Sequence, residues 1–191
     1  MRVVMMKQLA GAVLAAVFTL GFAQHSLAEA VGDYEEGYKA QALGDFSRGL
    51  PLLKQSADAG YAPAQSLLAE LWEAAGANQE ALEYYIKAAD QGDPRGEMGL
   101  AKLYAAGKAV KQDTAKAAEL LKRAAERDYG EALKAIVSAY TNGVFGLPVD
   151  LEQAKVWNAR FRVVEDKLLA ERAKIDKEKA DKEKAKAEAG K

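Results

Sequence analysis

One register of small residues constrains this chain more than any other feature: Gly49, Ala81, Ala117 and Ala154 each fall at the same place in a helical pattern. Eight residues after the first three come Ala57, Ala89 and Ala125, and each of these is followed by a turn. The leading positions are spaced by 32, 36 and 37 residues, the period at which one pair of antiparallel helices repeats itself. Small side chains recur at fixed places because neighbouring helices approach closely only there. Each hairpin is too small to hold a core of its own, so it buries its outer face on the next. The register predicts an all-α stack of about four helical hairpins.

The punctuation between the small residues supports this division. The first hairpin runs DYEEGYKAQALGD then FSRGLPLLKQSADAG, with Gly44 and Asp45 as its turn and Gly60 as a C-terminal stop. Pro51 is tolerated in a first turn and costly deeper in a helix, so the second helix is expected to start near Leu50 or to bend there. In the second hairpin Pro63 suits an early helical position and Gly76 to Asn78 break the chain. Its two stripes, Leu67, Leu68, Leu71, Trp72 and Ala75 against Ala81, Leu82, Tyr85, Ala88 and Ala89, recur at three and four and face each other. The third hairpin has Asp113 or Thr114 as a cap and Ala117, Leu120, Leu121, Ala124 and Ala125 as its buried stripe. The fourth connects its helices through Asn142, Gly143, Gly146 and Pro148, with Asp150 as the cap.

The run L-A-x-L-Y-x-x-G-x-x-V-x-x-D-x-x-K-A-x-x-L-L-x-x-A-A, from Leu100 to Ala125, resembles the Sel-one-like repeat (SLR) family, a branch of the tetratricopeptide superfamily. The fourth hairpin matches in part, through Tyr140, Asn142, Gly143, Val144, Asp150, Ala154 and Trp157, while Arg162 replaces the usual late alanine. The second hairpin is closer to a plain tetratricopeptide unit. The first is degenerate and keeps the G-D-F turn, Leu50, Leu53 and Ala57. The resemblance implies a right-handed α-solenoid and a protein-binding scaffold, and it implies nothing more specific about function.

Both ends differ from the repeats. MRVVMMK is followed by the uncharged apolar run Leu9 to Ala23 and then by Ser26 and Ala28, small residues placed for cleavage between Ala28 and Glu29. Residues 1–28 are therefore expected to be a cleaved signal peptide, too short in its apolar run for the roughly 30 Å hydrocarbon core. That expectation makes the mature protein periplasmic or secreted, with no stable membrane insertion. The repeat domain is expected over residues 29–164. In residues 165–191 the stripe Phe161, Val164, Leu168 and Ile175 fades into Lys, Glu and Asp, and a charged, partly disordered helical extension is expected.

The inventory of reactive side chains bears on function. The chain has no cysteine, and its single histidine, His25, lies in the expected signal. Thiolate chemistry is excluded, and the mature chain loses the commonest general base and the usual zinc ligands. No phosphate-binding glycine loop or nucleophile elbow is present, so no catalytic, cofactor or metal site is expected. With 27 Lys and Arg against 28 Asp and Glu, there is no basic field for nucleic acid. The expected role is a non-catalytic adaptor, scaffold or regulator that binds another protein or peptide of the cell envelope. A purely structural spacer is one alternative. A cell-wall or β-lactam hydrolase of the SLR type is another, though such proteins depend on cysteines this chain lacks. Trp72, Tyr104 and Tyr140 recur on successive first helices as inter-helix core or as groove anchors. If a groove exists, Gln65, Trp72, Glu73, Glu97, Lys102 and Tyr104 are its expected lining.

Overall fold

A computed structural model of the chain describes residues 27–189, with side chains to residue 184. Every regular element among them is a helix. The described part of α1 is residues 27–42. It is followed by α2 (Phe46–Asp58), α3 (Ala62–Ala74), α4 (Asn78–Asp90), α5 (Pro94–Ala106), α6 (Thr114–Glu126), α7 (Gly130–Asn142) and α8 (Leu151–Ala189). Helices α2 to α7 have 13 residues each, so the two central hairpins, α3 with α4 and α5 with α6, have helices of equal length. The all-α helical-hairpin fold expected from the sequence is the fold observed. Residues 1–26 of the expected signal lie outside the described residues, and Ala28 and Glu29 fall in the first described turn of α1.

The chain divides into two compact units, one ending at Leu100 and the other beginning at Ala101. In the first unit α2 packs on α3 and α3 on α4. Leu53, Leu68 and Tyr85 are its large buried side chains, and the register residues Ala57, Ala81 and Ala89 are buried among them. A Cβ added at Gly49 would stand 2.9 Å from the Gly37 carbonyl oxygen, so α1 and α2 meet backbone to backbone where the register begins. One Cβ added at Gly99 would lie 2.1 Å from the ring of Tyr85. The Tyr85 phenol donates to Glu73 Oε2 at 2.9 Å, which fixes the ring that Gly99 admits.

Polar side chains tie the helices of this unit together, within and between hairpins. Ser56 Oγ donates to the Ala30 carbonyl, joining α2 to α1. Asp93 accepts from Ser66 Oγ at 2.6 Å and from the Gly96 N–H at 2.9 Å, so one carboxylate caps α5 and holds it to α3. Pro51 does not delay or terminate α2, which begins at Phe46 with Asp45 as its cap. The expected start near Leu50 is corrected: Pro51 and Ser47 are both exposed, so the Ser47 carbonyl that loses its partner is left to water.

In the second unit α6 packs on α7 and α7 on α8. Leu103, Leu120, Leu121, Leu133 and Ile136 form its core with Ala117, Ala124 and Ala125. Asp113 caps α6 by accepting the Lys116 N–H at 2.9 Å, and Asp150 accepts the N–H groups of Glu152 and Gln153 at 3.1 and 3.0 Å. Between α7 and α8, Gly143 and Gly146 take φ of 70° and 74°. At Gly146 a Cβ would lie 2.4 Å from the Thr114 carbonyl oxygen, so both the turn and the close approach require glycine. Arg160 then ties α8 to the end of α6, donating to Asp128 at 2.6 Å and to the Glu126 carbonyl at 2.7 Å. The last repeat helix runs on as one helix into the charged segment. Arg162 is exposed, and the small residue required at Ala57, Ala89 and Ala125 is not needed where no helix of the unit closes over the site.

In an open helix Gly→Ala gains about 0.5–1 kcal/mol, but overlap with a buried, hydrogen-bonded ring outweighs that gain. Gly99→Ala is expected to destabilise by about 1–3 kcal/mol in urea unfolding. Gly32→Ala, with nothing within 4 Å of the added Cβ, is the control and should be neutral or slightly stabilising.

Candidate interaction surface of the first unit

The spacing of Tyr34 and Tyr38 by four residues puts both rings on one side of α1, with centroids 6.0 Å apart. Tyr61, at the start of α3, meets Tyr34 edge to face at 5.3 Å. Partial burial pushes the Tyr34 phenol above its ordinary pKa, and the Arg95 guanidinium partly offsets the shift. Tyr34, Tyr61, Trp72 and Tyr84 all pack on the buried cluster of Ala57, Ala64 and Leu68. The small register residue therefore carries aromatic rings on its outer surface.

Beside these rings a hollow of about 320 Å³ opens, lined by Tyr38, Gln41, Ala42, Phe46, Leu67, Glu70 and Arg95. Tyr38 and Phe46 are about half exposed, at 51% and 59%. Gln41 Oε1 is buried there without a hydrogen-bond partner among the described residues. Glu70 and Arg95 face each other across α3 and α5 at 3.7 Å. These groups offer aromatic faces, an amide acceptor and a carboxylate, a set suited to holding a side chain.

Charge is distributed unevenly along the sequence. Between Glu29 and Leu100 there are 13 Asp and Glu but only 5 Lys and Arg, a formal balance of −8. From Ala101 to Lys191 there are 15 against 20, a balance of +5. Three of the five cations between Glu29 and Leu100 are already paired, Arg48 with Glu36, Lys54 with Asp58 and Arg95 with Glu70. A fourth, Lys87, lies 4.8 Å from the centre of the Tyr84 ring.

The Sel1 repeat pattern matches residues 62–93, 94–129 and 135–157. The chain belongs to the Sel1 repeat family. Two solved structures are similar. A Sel1 repeat protein from Oxalobacter formigenes aligns with a TM-score of 0.61 at 27% identity, over 70% of this chain and 58% of that one. A protective antigen of uropathogenic Escherichia coli with an SLR fold aligns with a TM-score of 0.60 at 24% identity, over 74% of this chain and 32% of that one. This chain thus spans about half and about a third of the lengths of those proteins. No curated protein matches the sequence. Sel1 repeats generally serve as non-catalytic scaffolds for protein–protein interaction.

The repeat pattern accounts for much of the lining expected from the sequence. Gln65 is buried, donating to the Ala57 carbonyl at 3.0 Å and accepting from Gln91 at 2.8 Å, so it belongs to the joint between hairpins. Glu97 is fully buried and is not available to a partner. Trp72 is half-buried against the alanine–leucine cluster, and Glu73 holds the Tyr85 phenol. None of these four lines the 320 Å³ hollow. In the second unit Lys102 is exposed, and Tyr104 borders a separate hollow of about 430 Å³ with Val110, Lys111, Gln112 and Asp113. Tyr140, the third member of the aromatic series, is core.

What the repeat reasoning missed is Tyr34, Tyr38, Gln41, Phe46, Glu70 and Arg95. Four of these precede residue 62 and so lie outside the matched Sel1 segments. The available signals were the four-residue spacing of Tyr34 and Tyr38 and the local excess of carboxylates, which the near-zero charge of the whole chain conceals.

On another edge of the same aromatic cluster, Asp58 accepts from Lys54 and, at 2.8 Å, from the Tyr84 phenol of α4. Both bonds, that from Lys54 foremost, hold the Asp58 carboxyl below its ordinary pKa. A depressed carboxylate stabilises the fold above its unfolded pKa of about 4, and this contribution is lost as pH falls through the lower folded value. NMR titration of Asp58 is expected to give a depressed midpoint that rises in Lys54→Met and rises less in Tyr84→Phe.

Proposed function

We propose that this chain is a non-catalytic protein-binding module of the bacterial cell envelope, exported to the periplasm or beyond, and that it captures its partner through the aromatic face of the first unit. The observation that carries the reading is the half-exposed pair Tyr38 and Phe46, which line one hollow together with Gln41, Leu67, Glu70 and Arg95. Exposed aromatics beside buried polar groups are the usual anchors of an interface, where a few desolvated residues supply most of the affinity. The membership in a scaffold family supports the same reading. Export rests on the charged, apolar and small-residue regions at the N-terminus. No helix among the described residues is long and apolar enough to cross a membrane.

Two measurements test it. A photo-crosslinking amino acid at position 38 in intact cells is expected to capture a defined partner, while the same group at exposed Glu80 captures little; equal, diffuse labelling at both positions would count against the surface. Fractionation with mass spectrometry of the N-terminus should find a chain beginning at Glu29 outside the cytoplasm. A cytoplasmic chain that keeps Met1 would remove the envelope assignment.

A further inference from the structure

Granting that the first unit binds a protein, its chemistry selects which kind. We infer that the hollow between α1 and α3 takes a lysine or arginine side chain from a basic segment of the partner. The inference rests on that reading and narrows it.

The aromatic lining and the charge around it both favour a cation. Tyr38 and Phe46 offer half-exposed rings at the mouth, and aromatic faces attract ammonium and guanidinium groups within about 6 Å of the ring centre. Gln41 lies in the same lining and adds a neutral amide side chain beside the rings. Glu70 lines the α3 side but is paired with Arg95 at 3.7 Å, so this pair is locally near neutral and the attraction for a cation comes from the rings and the wider acidic field. The hollow, at about 320 Å³, has room for a long side chain rather than a folded element.

The surrounding field points the same way. The stretch from Glu29 to Leu100 carries a formal −8, and most of its few cations are already engaged. Such a surface attracts a basic segment from a distance and repels an acidic one. Arg95 is the one feature that would welcome an anion. It faces Glu70 within the same lining, so an anionic side chain would meet that carboxylate and the excess of negative charge together.

The test uses the whole purified chain and three fluorescein-labelled peptides that share one uncharged, extended Ser/Gln sequence and carry four arginines, four glutamates or no charge. In fluorescence anisotropy the arginine peptide should bind at least about tenfold more tightly than the uncharged one and weaken between about 50 and 300 mM salt. Tyr38→Ala should cost about fivefold even at the higher salt, and Glu70→Gln should also weaken binding. Glu80→Gln, on α4 and outside the hollow, should change little once circular dichroism confirms that each variant is folded.

The other outcomes overturn the inference in distinguishable ways. If the uncharged or glutamate peptide binds as tightly and is still lost in Tyr38→Ala, the surface is right and the partner class is wrong. Equal weakening by Glu80→Gln and Glu70→Gln, with no effect of Tyr38→Ala, reduces the effect to diffuse charge and removes the site. A molecular mass that rises with concentration in light scattering and falls in Glu70→Gln makes a second copy of the chain the occupant, through its own basic residues. Should no peptide bind while crosslinking at position 38 still captures a protein, the interaction stands without this recognition; should both fail, the interaction reading falls with it.

Discussion

Close approach of helices at small residues is the constraint on which the rest of this structure depends. At Gly99 the Tyr85 ring occupies the space a side chain would need, and at Gly49 the backbone of α1 stands where a Cβ would go. Ala57, Ala81, Ala89, Ala117 and Ala125 are buried to 4% exposure or less for the same reason. Packing density is gained by bringing backbones together and then filling the remaining spaces with leucine and tyrosine. Close contact also brings polar groups out of water, and each needs a partner. Gln65 and Asp93 supply those partners between hairpins and Ser56 supplies one within the first, so the polar joints are a consequence of the small-residue contacts.

That dependence explains what was legible in the sequence. Alanine at a fixed period is a direct imprint of steric exclusion, and the turn residues and caps are direct imprints of backbone geometry. Asp113, Asp150, Gly143 and Gly146 therefore behave as the pattern predicts. Pro51 misled because the cost of an interior proline depends on whether the orphaned carbonyl faces water, a fact of exposure that a linear sequence does not carry. Gln65 and Glu97 misled for the converse reason. Polar residues on a first helix read as surface, yet both are buried, and Gln65 bonds across the joint.

The interaction surface was harder to read because repetition is blind to it. A repeat pattern selects positions that all hairpins share, and shared positions are those that pack. Tyr38, Phe46 and Gln41 lie in the hairpin with the weakest likeness to the repeat, where fewer positions are committed to packing and more are free to vary. Glu70 and Arg95 lie within matched segments but at solvent-facing places the pattern does not specify. Whole-chain composition hid the charge as well, since −8 before Leu100 and +5 after it nearly cancel.

Segregated charge of this kind has no origin in the fold. Core packing fixes the alanines and leucines of both units alike, and it is indifferent to whether an exposed helical position carries glutamate or lysine. Like charges crowded on one small unit repel and weaken it, and the ion pairs Arg48–Glu36 and Lys54–Asp58 are exposed and worth little individually. A charge pattern that lowers stability and contributes nothing to packing is open to a role in binding. A partner that brings opposite charge supplies that role, because binding relieves the repulsion that folding tolerates. The acidic excess and the aromatic hollow are in this sense one feature: the field draws the basic segment in, and the hollow gives one of its side chains a defined place to stop.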